Sequence, residues 1–120
     1  MLTAIPNPSS RSQKRMYDMD NIKKLRLLGE HAPAAFEGFK QFDKAAMADG
    51  AVPKKYKELI ALGVALTTQC PYCLEIHRKQ AEAAGATQQE IAETAMVAAA
   101  LRAGAAVTHA THILRSEAAE

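Results

Sequence analysis

At 120 residues the chain has room for one domain. A net charge of +2 and a pI near 8.6 are too mild to argue for nucleic-acid or membrane-surface binding. Hydrophobic residues reach 48%, much of it alanine, yet aromatics reach only 5% and tryptophan is absent, so the core must be lean and made of closely packed helices, with oligomerisation to bury more.

No apolar run reaches the ~18 residues of a membrane span, and no apolar stretch with a cleavage site opens the chain. The expected location is the cytoplasm, where two thiols rest reduced and cycle rather than staple the fold. Residues 1–18 are polar and basic, with Pro6, Pro8 and Ser9-Ser10-Arg11-Ser12. They read as a flexible N-terminal arm ahead of a helical domain over residues 19–120. Arg11, Lys14 and Arg15 lack aromatic interleaving, which favours a solvated arm over a nucleic-acid site.

The spacing predicts a first helix from about Asp20 to Glu30, capped by Asp20 or Asn21, with Ile22, Leu25 and Leu28 as its apolar stripe. A second helix is expected from about Pro33 to Ala48. Its Phe36, Phe39, Phe42 and Met47 recur at helical spacing and read as core, with walling of a pocket the alternative. Asp49-Gly50 stops it. Pro53 opens a third helix, which carries Glu58 just ahead of an apolar run. By itself Glu58 is a surface charge.

The fourth helix begins at Cys70-Pro71-Tyr72-Cys73, which holds the only two cysteines of the chain. Proline is favoured at the first helical position, where its missing N–H costs nothing. That makes Cys70 the N-cap and puts Cys73 in the first turn, where unpaired N–H groups and the helix dipole favour a thiolate. His77 follows by one turn, so Cys70, Cys73 and His77 share an edge. Gly85 ends this helix. Thr87-Gln88-Gln89-Glu90 is a capping box that starts the next. Helix formers then continue from Leu101 to Ala119, with Gly104 as a break or close-packing point. His109 and His112 share a face, but two histidines make an incomplete metal site. The fold class expected is all-α, with about five to seven helices.

The dithiol admits three readings: a redox pair, a metal site or buried structural cysteines. A structural zinc site wants four ligands, and Cys70, Cys73 and His77 make three. Cys-x-x-Cys at a helix start permits the short Cα separation of an intramolecular disulfide. Cys-Pro-Tyr-Cys also occurs in glutaredoxins, where it follows a strand in a βαβ pattern. Here the preceding run, Lys54 to Thr68, is too long for an ordinary strand, so that fold is set aside.

Glu58, eleven intervening residues, Cys70-x-x-Cys73, three residues and His77 resemble the signature of the AhpD-like alkylhydroperoxidases, within the carboxymuconolactone decarboxylase superfamily. Ala83-Ala84-Gly85-Ala86-Thr87-Gln88-Gln89-Glu90-Ile91 is similar to the turn and helix start that follow in that family. The resemblance covers about Val52 to His112. It implies an all-α fold and a trimer or hexamer. It implies that Cys70 and Cys73 form a redox-active disulfide while reducing hydroperoxides, with His77 as acid and base and Glu58 orienting it. No cofactor is bound in that reading; an external dithiol, a lipoyl-bearing protein in the best-known members, is the reductant. Those members carry a second His just before the second Cys, where this chain has Tyr72, an auxiliary candidate for proton relay. A lactone decarboxylase needing no dithiol, and a non-catalytic thiol sensor, are the alternatives.

Overall fold

The protein is all-α. The computed structural model describes residues 17–117, and every regular element among them is helical. A 3-10 helix, Met19–Lys24, runs into α1, Leu25–His31. Then come α2 (Pro33–Met47), α3 (Lys54–Thr68), α4 (Pro71–Ala83), α5 (Gln88–His109) and a last 3-10 turn, Ala110–His112. The arm expected over 1–18 lies outside the described residues except at its end. There Asp18 caps the first 3-10 helix, its side chain accepting from the Asp20 N–H at 2.9 Å, so the cap lies two residues earlier than expected.

Local signals explain the boundaries. Pro53 sits at the N-cap of α3, just outside the helix, and Asp49 Oδ1 accepts the unpaired N–H of Lys54. α3 ends at Gln69, which adopts the left-handed conformation with φ 56°. That conformation costs a non-glycine residue ~1 kcal/mol or more. It turns the chain so that α4 runs back along α3. α4 ends at Gly85, φ 93°, with the Ala86 N–H closing onto the Ala81 carbonyl. Thr87 and Glu90 form the reciprocal capping box of α5.

α3 packs against both α4 and α5. Leu59 and Leu62 meet Ala81, Ala86, Leu74 and Ile91 in the core. Lys55 pairs with Glu90 at 2.9 Å, and Arg102 donates to the Thr67 carbonyl, tying both ends of α3 to α5. Leu59 and Leu62 are the only buried hydrophobic side chains larger than alanine among the described residues. Each contributes about 1.5–3 kcal/mol, little against the entropy of ordering ~100 residues.

Three expectations need correction. Phe39 and Phe42 are 59% and 72% exposed rather than core. α1 and α2 pack mainly on each other, with Phe36 against Gly29, and meet α3 only sparsely, so among the described residues little packs on the outer stripe of α2. The last α-helix runs through Gly104 without a break and stops at His109, giving way to the 3-10 turn instead of continuing towards Ala119. Finally, Gln88–His112 does have the length and apolarity of a membrane span, with a mean hydropathy of 1.3, which a count of uninterrupted apolar residues misses. Much of that apolarity is alanine, and the helix packs along α3.

Candidate active site

The site is built where α3 turns into α4. Cys70 is the N-cap and Pro71 the first helical residue, as the sequence pattern requires. Cys70 Sγ accepts the Cys73 N–H at 3.3 Å, and the two free thiols stand with their sulfurs 2.6 Å apart. Either thiol can donate to the other. The Cys73 N–H decides the direction, because it points at Cys70 and favours negative charge there. Hydrogen bonding from the Cys73 thiol, and then from the Cys73 N–H, holds the Cys70 thiol below its ordinary range. Donation to Cys70 and burial push Cys73 up to about 11. The lowered thiol is therefore the cap and not the first-turn cysteine, which reverses the sequence expectation. The cause is the sulfur–sulfur contact, which ranks the thiols by which one donates.

One turn past Cys73, His77 Nδ1 meets Glu58 Oε2 at 2.6 Å. Glu58 is fully buried, so this is not the surface carboxylate that its local sequence suggests. The reversal at Gln69 brings α4 back along α3 and closes the nineteen-residue gap between them. With Glu58 ionised, the Nδ1 proton is donated to it and Nε2 is left as the basic nitrogen. Two further residues hold this carboxylate, and the motif did not point to either. Lys54 Nζ lies 3.0 Å from Oε1. The Gln80 amide, with its nitrogen turned inwards, donates to Oε1 at 2.8 Å and Oε2 at 3.3 Å. The only available signal was spacing: Lys54 is one turn before Glu58, and Gln80 is three residues after His77.

Tyr72 stands on the other side of Cys73. Its hydroxyl accepts from Asn21 Nδ2 at 3.1 Å, and its ring lies 5.9 Å from that of Tyr17. The residues at the start of the described chain thus touch the Cys70–Cys73 turn through Tyr72. His109 and His112 lie far along the sequence with their rings 5.6 Å apart. Among the described residues no group of three or more His, Cys, Asp or Glu side chains gathers to hold a metal ion.

The profile of the carboxymuconolactone decarboxylase family matches residues 33–116, a span that includes Glu58, Cys70, Cys73 and His77. The chain belongs to this family. A carboxymuconolactone decarboxylase family protein of Legionella pneumophila, solved in its apo form, is 35% identical, with a TM-score of 0.65 over 68% of this chain and 73% of that one. A Methanobacterium thermoautotrophicum protein of known structure is 37% identical, with a TM-score of 0.67 over 72% of this chain and 97% of that one. A Paracoccus denitrificans protein, uncharacterized protein 4 in the cox locus, is 44% identical over 102 residues, covering 82% of this chain and 92% of its own.

In this member of the carboxymuconolactone decarboxylase family a cleft of about 810 Å³ opens onto the site. Cys73, His77, Lys54 and Gln80 line it together with Tyr72, while Ile22, Leu25, Phe39, Met47 and Ile76 supply apolar wall. Phe39 thus takes the pocket-wall role that was the alternative to core. A more apolar groove of about 470 Å³ between α3 and α5 carries none of the site residues.

Proposed function

We propose that the protein is a thiol-dependent peroxidase that reduces organic hydroperoxides through Cys70 and Cys73. One observation carries the reading: two free thiols in contact stand one turn from a histidine anchored on a buried carboxylate. Cys73 lines the cleft with His77. His77 takes the Cys73 proton, and the thiolate attacks the terminal peroxide oxygen, breaking the O–O bond. Cys73 becomes a sulfenic acid, and the alkoxide leaves as alcohol with the proton His77 returns. The Cys70 thiolate then attacks the sulfenic sulfur, giving the Cys70–Cys73 disulfide and, with one proton, water. An external dithiol, such as a lipoyl-bearing protein, restores both thiols by exchange and leaves oxidised. The apolar wall of the cleft suits the carbon chain of an organic hydroperoxide.

The test is a thiol count before and after one equivalent of cumene hydroperoxide, followed by a turnover assay with dihydrolipoamide. Loss of two thiols per peroxide, with continuous turnover, is expected. Loss without turnover would point to a sensor. Unchanged thiols would overturn the redox reading and favour a lyase.

The proposal includes a homo-oligomer, trimer or hexamer. Ile60, Val64, Val97 and Leu101 are all more than half exposed along the α3–α5 groove, beside Met96 and Val107 of the same α5. Apolar surface of this kind marks contact sites. Sedimentation at micromolar concentration should show an assembly, and a lone monomer would remove this part of the reading.

A further inference from the structure

A carboxylate with no exposed surface needs its charge answered inside the protein. Glu58 has three partners: His77, Gln80 and Lys54. While the imidazole is neutral, only Lys54 brings a full positive charge. An exposed lysine–glutamate pair one helical turn apart would contribute little. This pair differs, because its carboxylate is buried and its ammonium is tied twice. Lys54 Nζ also donates to the Met47 carbonyl at 3.0 Å, at the C-terminal end of α2, where a cation is favoured by the helix dipole. The Lys54 N–H is fixed on Asp49. One side chain thus joins the end of α2 to the buried carboxylate.

We propose that Lys54 is a positioning residue: it holds Glu58 as an oriented carboxylate, so that His77 keeps its proton on Nδ1 and presents Nε2 as the base. The catalytic consequence rests on the peroxidase reading; the effect on His77 does not. The charged and titratable groups facing the pair are few. α3 supplies Lys54. α4 supplies Cys73 and Tyr72 besides His77 itself. α2 and the loop after it supply Asp43, Lys44 and Asp49 along the same cleft. Of these, Lys54 is the cation in contact with the carboxylate.

Removing a positive charge beside a carboxylate–imidazole pair raises the affinity of the pair for a proton, whichever member takes it. The pair then fills with a proton at a higher pH, and the base is lost over a range in which the wild type still works. The experiment compares Lys54→Met and Lys54→Arg with wild type as full chains, each checked by circular dichroism. The first readout is the NMR titration of the His77 ring protons, assigned by their absence in His77→Ala. The second is the pH profile of cumene hydroperoxide turnover.

In Lys54→Met the His77 midpoint should move up by at least about half a pH unit, and the acidic limb of turnover should move with it. Lys54→Arg should restore both. Should Lys54→Met fail to fold, Lys54→Gln, which keeps a donor for the Met47 carbonyl, reads the same shift. A midpoint unmoved in a folded variant lacking the charge overturns the proposal. So does a rate lowered equally at every pH. A shifted midpoint in a protein whose wild type turns over no hydroperoxide upholds the role of Lys54 and removes the peroxidase reading instead.

Discussion

Replacing His77 with alanine should lower hydroperoxide turnover by ~100-fold or more, the usual size of a general acid–base contribution. The fold should survive, because His77 is partly exposed and the core is built from α3, Ala81 and Ala86. What disappears is the proposed base for Cys73, whose thiol is pushed up to about 11. Cys70 should keep its reactivity towards iodoacetamide, since its lowered range comes from Cys73 and not from His77. Glu58→Gln should cost less turnover, because it leaves the imidazole in place and alters only its anchor. A His77→Ala protein working at the wild-type rate would remove His77 from the mechanism.

The two cysteines should separate just as clearly. Cys70→Ser and Cys73→Ser should each abolish turnover, since a disulfide needs both sulfurs. Only Cys73→Ser should abolish sulfenic acid formation, read by trapping with dimedone. Cys70→Ser should form the sulfenic acid and stall there. The pH dependence of alkylation gives a second reading of the pair. A thiol held below its ordinary range is thiolate at lower pH, so wild-type Cys70 should reach its alkylation plateau below the free-thiol midpoint of ~8.5. Cys73→Ala removes the larger cause of the lowering, the thiol donor, but keeps the backbone N–H, so the Cys70 midpoint should climb part of the way back towards ~8.5. Trapped sulfenic acid on Cys70 instead of Cys73 would exchange the two roles.

Much of the framework was legible because it rests on short-range rules. Proline after a capping residue, glycine after a helix and Thr-x-x-Glu before one all act within a single turn, and Pro71, Gly85 and Thr87 fell where those rules put them. The link from Glu58 to His77 was legible only as a resemblance, since no local rule draws a carboxylate across nineteen residues. What escaped depends on assembled geometry. Gln69 carries no sign of the left-handed turn that reverses the chain. Gln80 meets Glu58 only once α4 lies along α3, and the Lys54 pair, one turn apart on α3, matters only because packing buries the carboxylate. The aromatic stripe of α2 has the spacing of a core face, but spacing says nothing about whether the same chain supplies a partner. The order of the two thiols was misread because helix position was weighed and the sulfur–sulfur contact was not.

The Cys70 sulfur has two occupations. It closes the N-terminus of α4 by accepting the Cys73 N–H, and in the proposed cycle it is also consumed at each turnover. A thiolate is a far better acceptor for that N–H than a disulfide sulfur. Whatever the cap contributes to the helix therefore belongs to the reduced protein and is forfeited on oxidation. By linkage, a cap worth ~1 kcal/mol makes the disulfide more oxidising by ~20 mV. In that cycle the secondary structure itself weighs on the redox balance: the first turn of α4 acts as a weak spring that favours the dithiol once an external reductant supplies the electrons.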